Sequence, residues 1–140
     1  MASAERITAI AEEIATQLSK IPDLDVTPYP REKLYVSRGP ALGCLFFMGS
    51  DEPETMQQNV QPLDFSLLIV LPASISGDIR KANARAQELC AVDAGSSIYG
   101  VLNGAPLQSQ ARVDSVSVDY WTKVGEKRAT NIQAAIQAWG

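Results

Sequence analysis

Apolar positions near the start of the chain recur at three- and four-residue spacing: Ile7, Ile10, Ala11, Ile14, Leu18 and Ile21. That spacing predicts an amphipathic helix with one apolar stripe. Ser3 is a fitting N-cap, Glu5 sits favourably in the first turn, and Glu12, Gln17 and Lys20 mark the wet face. Pro22 ends the helix, because a residue preceding proline is driven out of the helical region. The stretch from Leu24 to Pro30 then reads as extended, with Leu24 and Val26 alternating with polar residues. Pro28 and Pro30 cannot donate to a ladder, so this strand is expected to be short or to lie at a sheet edge. Leu42 to Met48 is apolar enough for a strand covered on both faces, bracketed by the turn signals Gly39-Pro40 and Gly49-Ser50.

The strongest strand pattern is Leu63 to Leu71. Leu63, Phe65, Leu67, Ile69 and Leu71 alternate, and Leu68 and Val70 make the later half apolar on both faces, which predicts a strand in the middle of a sheet. Pro72 terminates it. A second helix is predicted over residues 76–90, started by Ser76 or Asp78. Its inner stripe is Ile79, Ala82, Ala86, Leu89 and Cys90, and its wet side is Arg80, Lys81, Arg85 and Glu88. A short helical turn is expected from Ser96 to Leu102, stopped by Asn103-Gly104. The last third reads as a hairpin: Val116, Val118 and Tyr120 alternate in one strand, Ile132, Ala134, Ile136 and Ala138 in the other. A polar, mainly basic connection from Trp121 to Arg128, turning at Gly125, is expected between them. The order α-β-β-β-α-β-β predicts one α+β domain over residues 1–140, mainly an antiparallel sheet with two helices packed on one face.

Composition narrows the chemistry. Of 140 residues, 46% are hydrophobic and 20% charged, with a formal net charge of −4, a globular composition. Lys and Arg are interleaved with Asp and Glu, so the clustered cations of a phosphate-binding groove are missing and sequence-specific nucleic-acid binding is not expected. There is no histidine, which removes the commonest general base and metal ligand. Cys44 and Cys90, the two cysteines, stand far apart in apolar surroundings and read as free thiols acting as small hydrophobes. Neither a phosphate-loop nor a dinucleotide glycine pattern occurs, nor does Ser-x-x-Lys. No catalytic residue, cofactor site or metal site is therefore assigned, and the chain is not expected to be an enzyme. The opening residues are polar and charged and give no signal peptide. No apolar run approaches the ~20 residues needed to span a bilayer.

What remains are candidate contact residues. Residues 49–62 are polar and read as a long loop or hairpin tip carrying Asp51, Glu52 and Glu54. Their spacing is not that of an EF-hand, so a solvated acidic loop or a protein contact is favoured over a metal site. Lys123, Lys127 and Arg128 form an oppositely charged tip. Tyr120 and Trp121 are adjacent in a strand and so are expected on opposite faces, one in the core and one available to a partner.

The arrangement resembles the tail terminator and tail completion proteins of tailed bacteriophages. The resemblance is carried by the opening helix Ile10-Ala11-Glu12-Glu13-Ile14-Ala15-Thr16-Gln17-Leu18, which leads into Ile21-Pro22-Asp23-Leu24-Asp25-Val26-Thr27-Pro28-Tyr29-Pro30. The central strand Asp64 to Leu71, the polar helix after it, and a last strand pair containing Val113-Asp114-Ser115-Val116-Ser117-Val118 continue it. It covers nearly the whole chain as a pattern of elements and has no invariant motif. It implies a structural subunit of a ring, usually hexameric, that caps the tail tube and meets a neck or stopper protein, and the sheath protein where tails contract. The implied location is the tail–neck region of the virion, after assembly in the host cytoplasm. Residues Gly104 to Ala111 depart from the more regular glycine-rich run of many relatives. Another neck protein, a stopper or connector, is thus the first alternative, and a small-ligand-binding or enzymatic domain the second.

Overall fold

The computed structural model of the protein describes residues 4–50, 62–92, 95, 97–103 and 110–139. Ser3 and Gly104, read above as a helix start and stop, lie outside them. The elements run α1 (Ala4–Leu18), β1 (Leu24–Thr27), β2 (Ala41–Ser50), β3 (Leu63–Val70), α2 (Ala73–Ser76), α3 (Ile79–Cys90), α4 (Ile98–Asn103), β4 (Gln110–Val124) and β5 (Lys127–Trp139). The fold is α+β. One five-stranded sheet has the order β1-β2-β3-β5-β4, so β3 is its central strand and β1, only four residues long, is an edge strand.

Alternation on β3 explains how the sheet is held. Leu63, Phe65, Leu67 and Ile69 are each at most 2% exposed. Across the ladder they face Ala138, Ile136, Ala134 and Ile132 of β5, all buried. The same face continues onto Leu45 of β2 and Val26 of β1. Ile10, Ile14 and Leu18 of α1, Ala82, Ala86 and Leu89 of α3, and Ile98 and Leu102 of α4 belong to the same core cluster. Each large aliphatic side chain buried this way contributes about 1.5–3 kcal/mol. The intervening residues Gln133 and Ala135 of β5 and Arg112, Ser115 and Ser117 of β4 are exposed, the polar second face usual for such a sheet.

The sheet is mainly antiparallel, as expected, and mixed, because β1 and β2 pair in parallel. Residues 28–40 make the return, and their Val36 and Ser37 carbonyls accept from Ala73 and Ser74 N–H at 2.7 and 3.1 Å. The helix expected over 76–90 is α3, which starts at Asp78, one of the two expected positions, and the short α2 before it was not expected. Asp78 takes an extended conformation (φ −116°, ψ 109°) and its carboxylate accepts from Arg80 N–H at 3.0 Å, so α3 starts afresh at its own cap. With α4, the described residues hold four helices where two helices and a turn were expected. Finally, the basic stretch from Trp121 to Arg128 is no loop: β4 and β5 run on to a two-residue turn, Gly125-Glu126, with Gly125 at φ +65°. Glycine takes that left-handed conformation without strain, which lets so tight a turn close the hairpin.

At Gly43, an added Cβ would lie 3.0 Å from Ile69 Cγ1 and 3.3 Å from both the Leu68 carbonyl oxygen and Val26 Cγ2. Gly43→Val is expected to destabilise the fold by about 1–3 kcal/mol, measured by urea unfolding, because it overpacks the β1–β2–β3 seam.

Candidate functional site

The described surface has its most structured feature where the long hairpin passes the start of α3. Between Asp119↔Asn131 and Thr122↔Ala129 the ladder shifts register, so that Tyr120 and Trp121 together oppose Thr130. This is a β-bulge, a device that re-aims side chains at a strand edge. Side chains take up two of its backbone groups. Trp121 N–H donates to the Asp119 carboxylate at 2.9 Å, and the Tyr120 carbonyl accepts from the Arg128 guanidinium at 2.8 Å. Arg128 donates also to the Ser76 carbonyl. Ser76, fully buried, donates its hydroxyl to the Leu71 carbonyl at 2.8 Å and accepts from Thr130 N–H at 3.2 Å. One polar knot therefore ties the end of β3, the short helix α2, β5 and the bulge.

The bulge overrides the parity argument for the two aromatic residues. Tyr120 and Trp121 line one shallow groove with Ile79, Arg80 and Asn83 of α3. Their rings meet edge to face, with centroids 5.9 Å apart. The Tyr120 hydroxyl donates to Asn83 Oδ1 at 3.0 Å and its ring packs against the core, while Trp121 is 73% exposed. Ile79, expected in the inner stripe of the helix, is instead 46% exposed and forms the groove's far wall. As the first residue of α3 it precedes the turn that packs on the sheet.

The other nominated positions separate. Asp51, Glu52 and Glu54 lie outside the described residues. Lys123 and Lys127 are exposed on the hairpin. Arg128 points inward to the knot, and its charge is not on the surface tip where it was expected. Arg85, expected on the wet side of α3, is only 16% exposed in its side chain; it bonds Glu88 at 2.9 Å and the Pro22 carbonyl, joining α3 to the connection between α1 and β1. Arg80 and Asn83 were missed as groove residues. Only their placement one and four residues after Ile79, once Ile79 is known to be outside, marks them.

A second groove of about 310 Å³ opens where β1 stops short of β2, lined by Ile7, Pro28, Tyr29, Phe46, Phe47 and Phe65 among others. Its lining is apolar and aromatic and contains no ionisable carboxylate or amine. Cys44 is buried and Cys90 half-buried, both as free thiols. Burial raises the Cys90 thiol above its ordinary 9.0. Among the described residues no group of His, Cys, Asp and Glu could hold a metal ion, and no helix is long and apolar enough to cross a membrane.

Compared with models of known protein families and with curated protein sequences, this chain matches none. The site must be read from its own geometry. That geometry is an exposed indole on a hydrogen-bonded bulge, beside the half-exposed Ile79 at the start of α3 and the neighbouring Arg80.

Two outcomes follow. Ser76→Ala removes the hydroxyl that serves both Leu71 and Thr130 and should cost about 1–3 kcal/mol of stability. Thr130→Val should cost nothing or stabilise, since Thr130 Oγ1 is buried with no partner among the described residues; thermal melts of the two variants check the contrast. Cys90 should label slowly with a maleimide at neutral pH, with a rate still climbing above pH 9.0, because only the thiolate reacts and burial disfavours it.

Proposed function

We propose that this protein is a structural subunit of a bacteriophage tail terminator, forming a ring that caps the tail tube and joins it to the neck. The observation that carries the reading is strand β4: fifteen residues at the sheet edge, with pairing on its β5 side only among the described residues, ending in the bulge that exposes Trp121. A long edge strand is a template for another chain unless it is managed, and the bulges within β4 twist it without covering it. In the proposed assembly the helices cover one face of the sheet, and the edges and the polar face meet neighbouring subunits, the tube and a neck or stopper protein. A head-to-tail contact of this kind closes into a ring when the rotation per subunit allows it. The acidic run Asp51, Glu52 and Glu54 and the cations Lys123 and Lys127 set register across the joint, as exposed pairs steer more than they bind. A ring of this kind needs no catalytic residue or cofactor, works in the virion and is assembled in the host cytoplasm. A stopper or connector of the same neck uses the same surfaces and is the neighbouring reading.

The apolar groove at Tyr29, Phe46, Phe47 and Phe65 favours a second reading, a carrier of a small apolar ligand, since about 310 Å³ is at the lower end of ligand-site volumes.

Light scattering of the purified protein, followed by negative-stain imaging with and without tail tubes, separates these. The terminator reading expects rings, either alone or on tube ends, and Lys123→Glu with Lys127→Glu is expected to lower ring or capped-tube yield without lowering the melting temperature. A monomer indifferent to tubes, or a double variant that caps tubes as well as the parent, rules against it.

A further inference from the structure

The sheet has two edges, and one of them is sealed. On β1, both polar backbone groups of Val26 end on one side chain: the Ser19 hydroxyl accepts from Val26 N–H at 3.1 Å and donates to the Val26 carbonyl at 3.3 Å. The strand is four residues long and Pro28 follows it, so a further strand has nothing to pair with there. The β4 edge is different. Beyond it the described residues place no strand, and from Ser115 to Asp119 no helix, loop or side chain among them takes a backbone group. Outward N–H and C=O groups in a row are a template for another strand, and this stretch has no lysine or proline to blunt it. Its inward side chains, Val116 and Val118, are half-buried on the flank of the core, and its outward Ser115 and Ser117 are exposed. A strand laid beside it would therefore also cover apolar surface.

We infer that β4 pairs antiparallel with β4 of a second copy of this chain, about a two-fold axis at Ser117, joining the two sheets into one. A second copy offers no other strand edge, since its β1 is sealed by Ser19. The register follows from the bulges. They interrupt β4 between Val113 and Ser115 and again after Asp119, which leaves Ser115–Asp119 as the regular stretch. Only pairing centred on Ser117 lays the whole of that stretch against itself. Val116 then faces the partner's Val118, Ser115 faces the partner's Asp119, and Ser117 faces its own counterpart. Inward residues meet inward ones, and no like charges are opposed. A two-fold contact closes at two copies. The inference thus goes beyond the ring proposed above, and a copy paired this way is withheld from any ring that uses the same edge.

Sedimentation equilibrium of the full chain over a range of concentrations tests it, and the expected species is a dimer in exchange with monomer. Ser117→Lys sets two ammonium groups face to face at the axis and should raise the dimer's dissociation constant at least about fivefold. Ser117 is exposed, so at a dilution where both proteins are monomeric the melting temperature should match the parent's. Ser117→Cys should form an intermolecular disulfide on mild oxidation, because residues opposed in such a pair have Cα atoms about 4.5–5.5 Å apart. Gln133→Cys, exposed on the same face one strand inward, should not, and the parent reports any contribution from Cys44 and Cys90. The inference is overturned by a parent that stays monomeric, by a dimer that Ser117→Lys leaves as tight, or by Gln133→Cys cross-linking as fast as Ser117→Cys. Rings formed equally by the parent and Ser117→Lys would overturn it while sparing the ring reading; a dimer sensitive to Ser117→Lys that never caps tubes would do the reverse.

Discussion

Leu63, Phe65, Leu67 and Ile69 must all leave water on the same side of β3, and the rest of the molecule is arranged around that demand. Because side chains alternate strictly along a strand, sliding β3 by one residue would turn the whole set outward. The constraint passes sideways through the ladder. Ile132, Ala134, Ile136 and Ala138 are fixed opposite it on β5, and Leu45 on β2. Gly43 lies in the same row and accepts the side chains of Ile69 and Val26 across the space where its own would stand. The helices α1, α3 and α4 then have one apolar surface to cover, and their inner residues join a single core.

Away from this centre the alternation is broken on purpose. Register shifts occur at Phe47/Gly49, Val113/Ser115 and Asp119/Thr122, all on strands flanking the central pair. The last of them matters most for the surface, because it places Tyr120 and Trp121 in one groove. A bulge leaves backbone groups out of the ladder, and an unpaired buried group costs about 1–3 kcal/mol. Here Asp119 and Arg128 take up those groups, and Ser76 anchors Arg128 in turn. Arg128 is thus worth more to the hairpin's shape than to its surface charge.

The functional reading rests on how this protein distributes its polarity. Its grooves hold mainly aromatic and aliphatic residues, and the proposed assembly rests on its edge strand β4 and its exposed indole. Ring assembly, as proposed, uses the strand edge and the sheet face together with the hairpin that carries Trp121, Lys123 and Lys127.

By itself the sequence determined those features that arise from local periodicity. The stripe Ile10, Ile14 and Leu18 set α1, the alternation from Leu63 set the central strand, and the prolines after Val26 kept β1 short and at the edge. Of the site, Trp121 and Lys123 were legible as an aromatic and a cation in a polar stretch. Tertiary structure decided the rest: the parallel pairing of β1 with β2, the extra short helix α2, the exposure of Ile79, and the inward turn of Arg85 and Arg128. Apolar spacing reports which residues avoid water within one element, whereas the strand beside β1 and the Pro22 and Ser76 carbonyls that Arg85 and Arg128 reach lie far along the chain and are chosen by the geometry in which the elements pack.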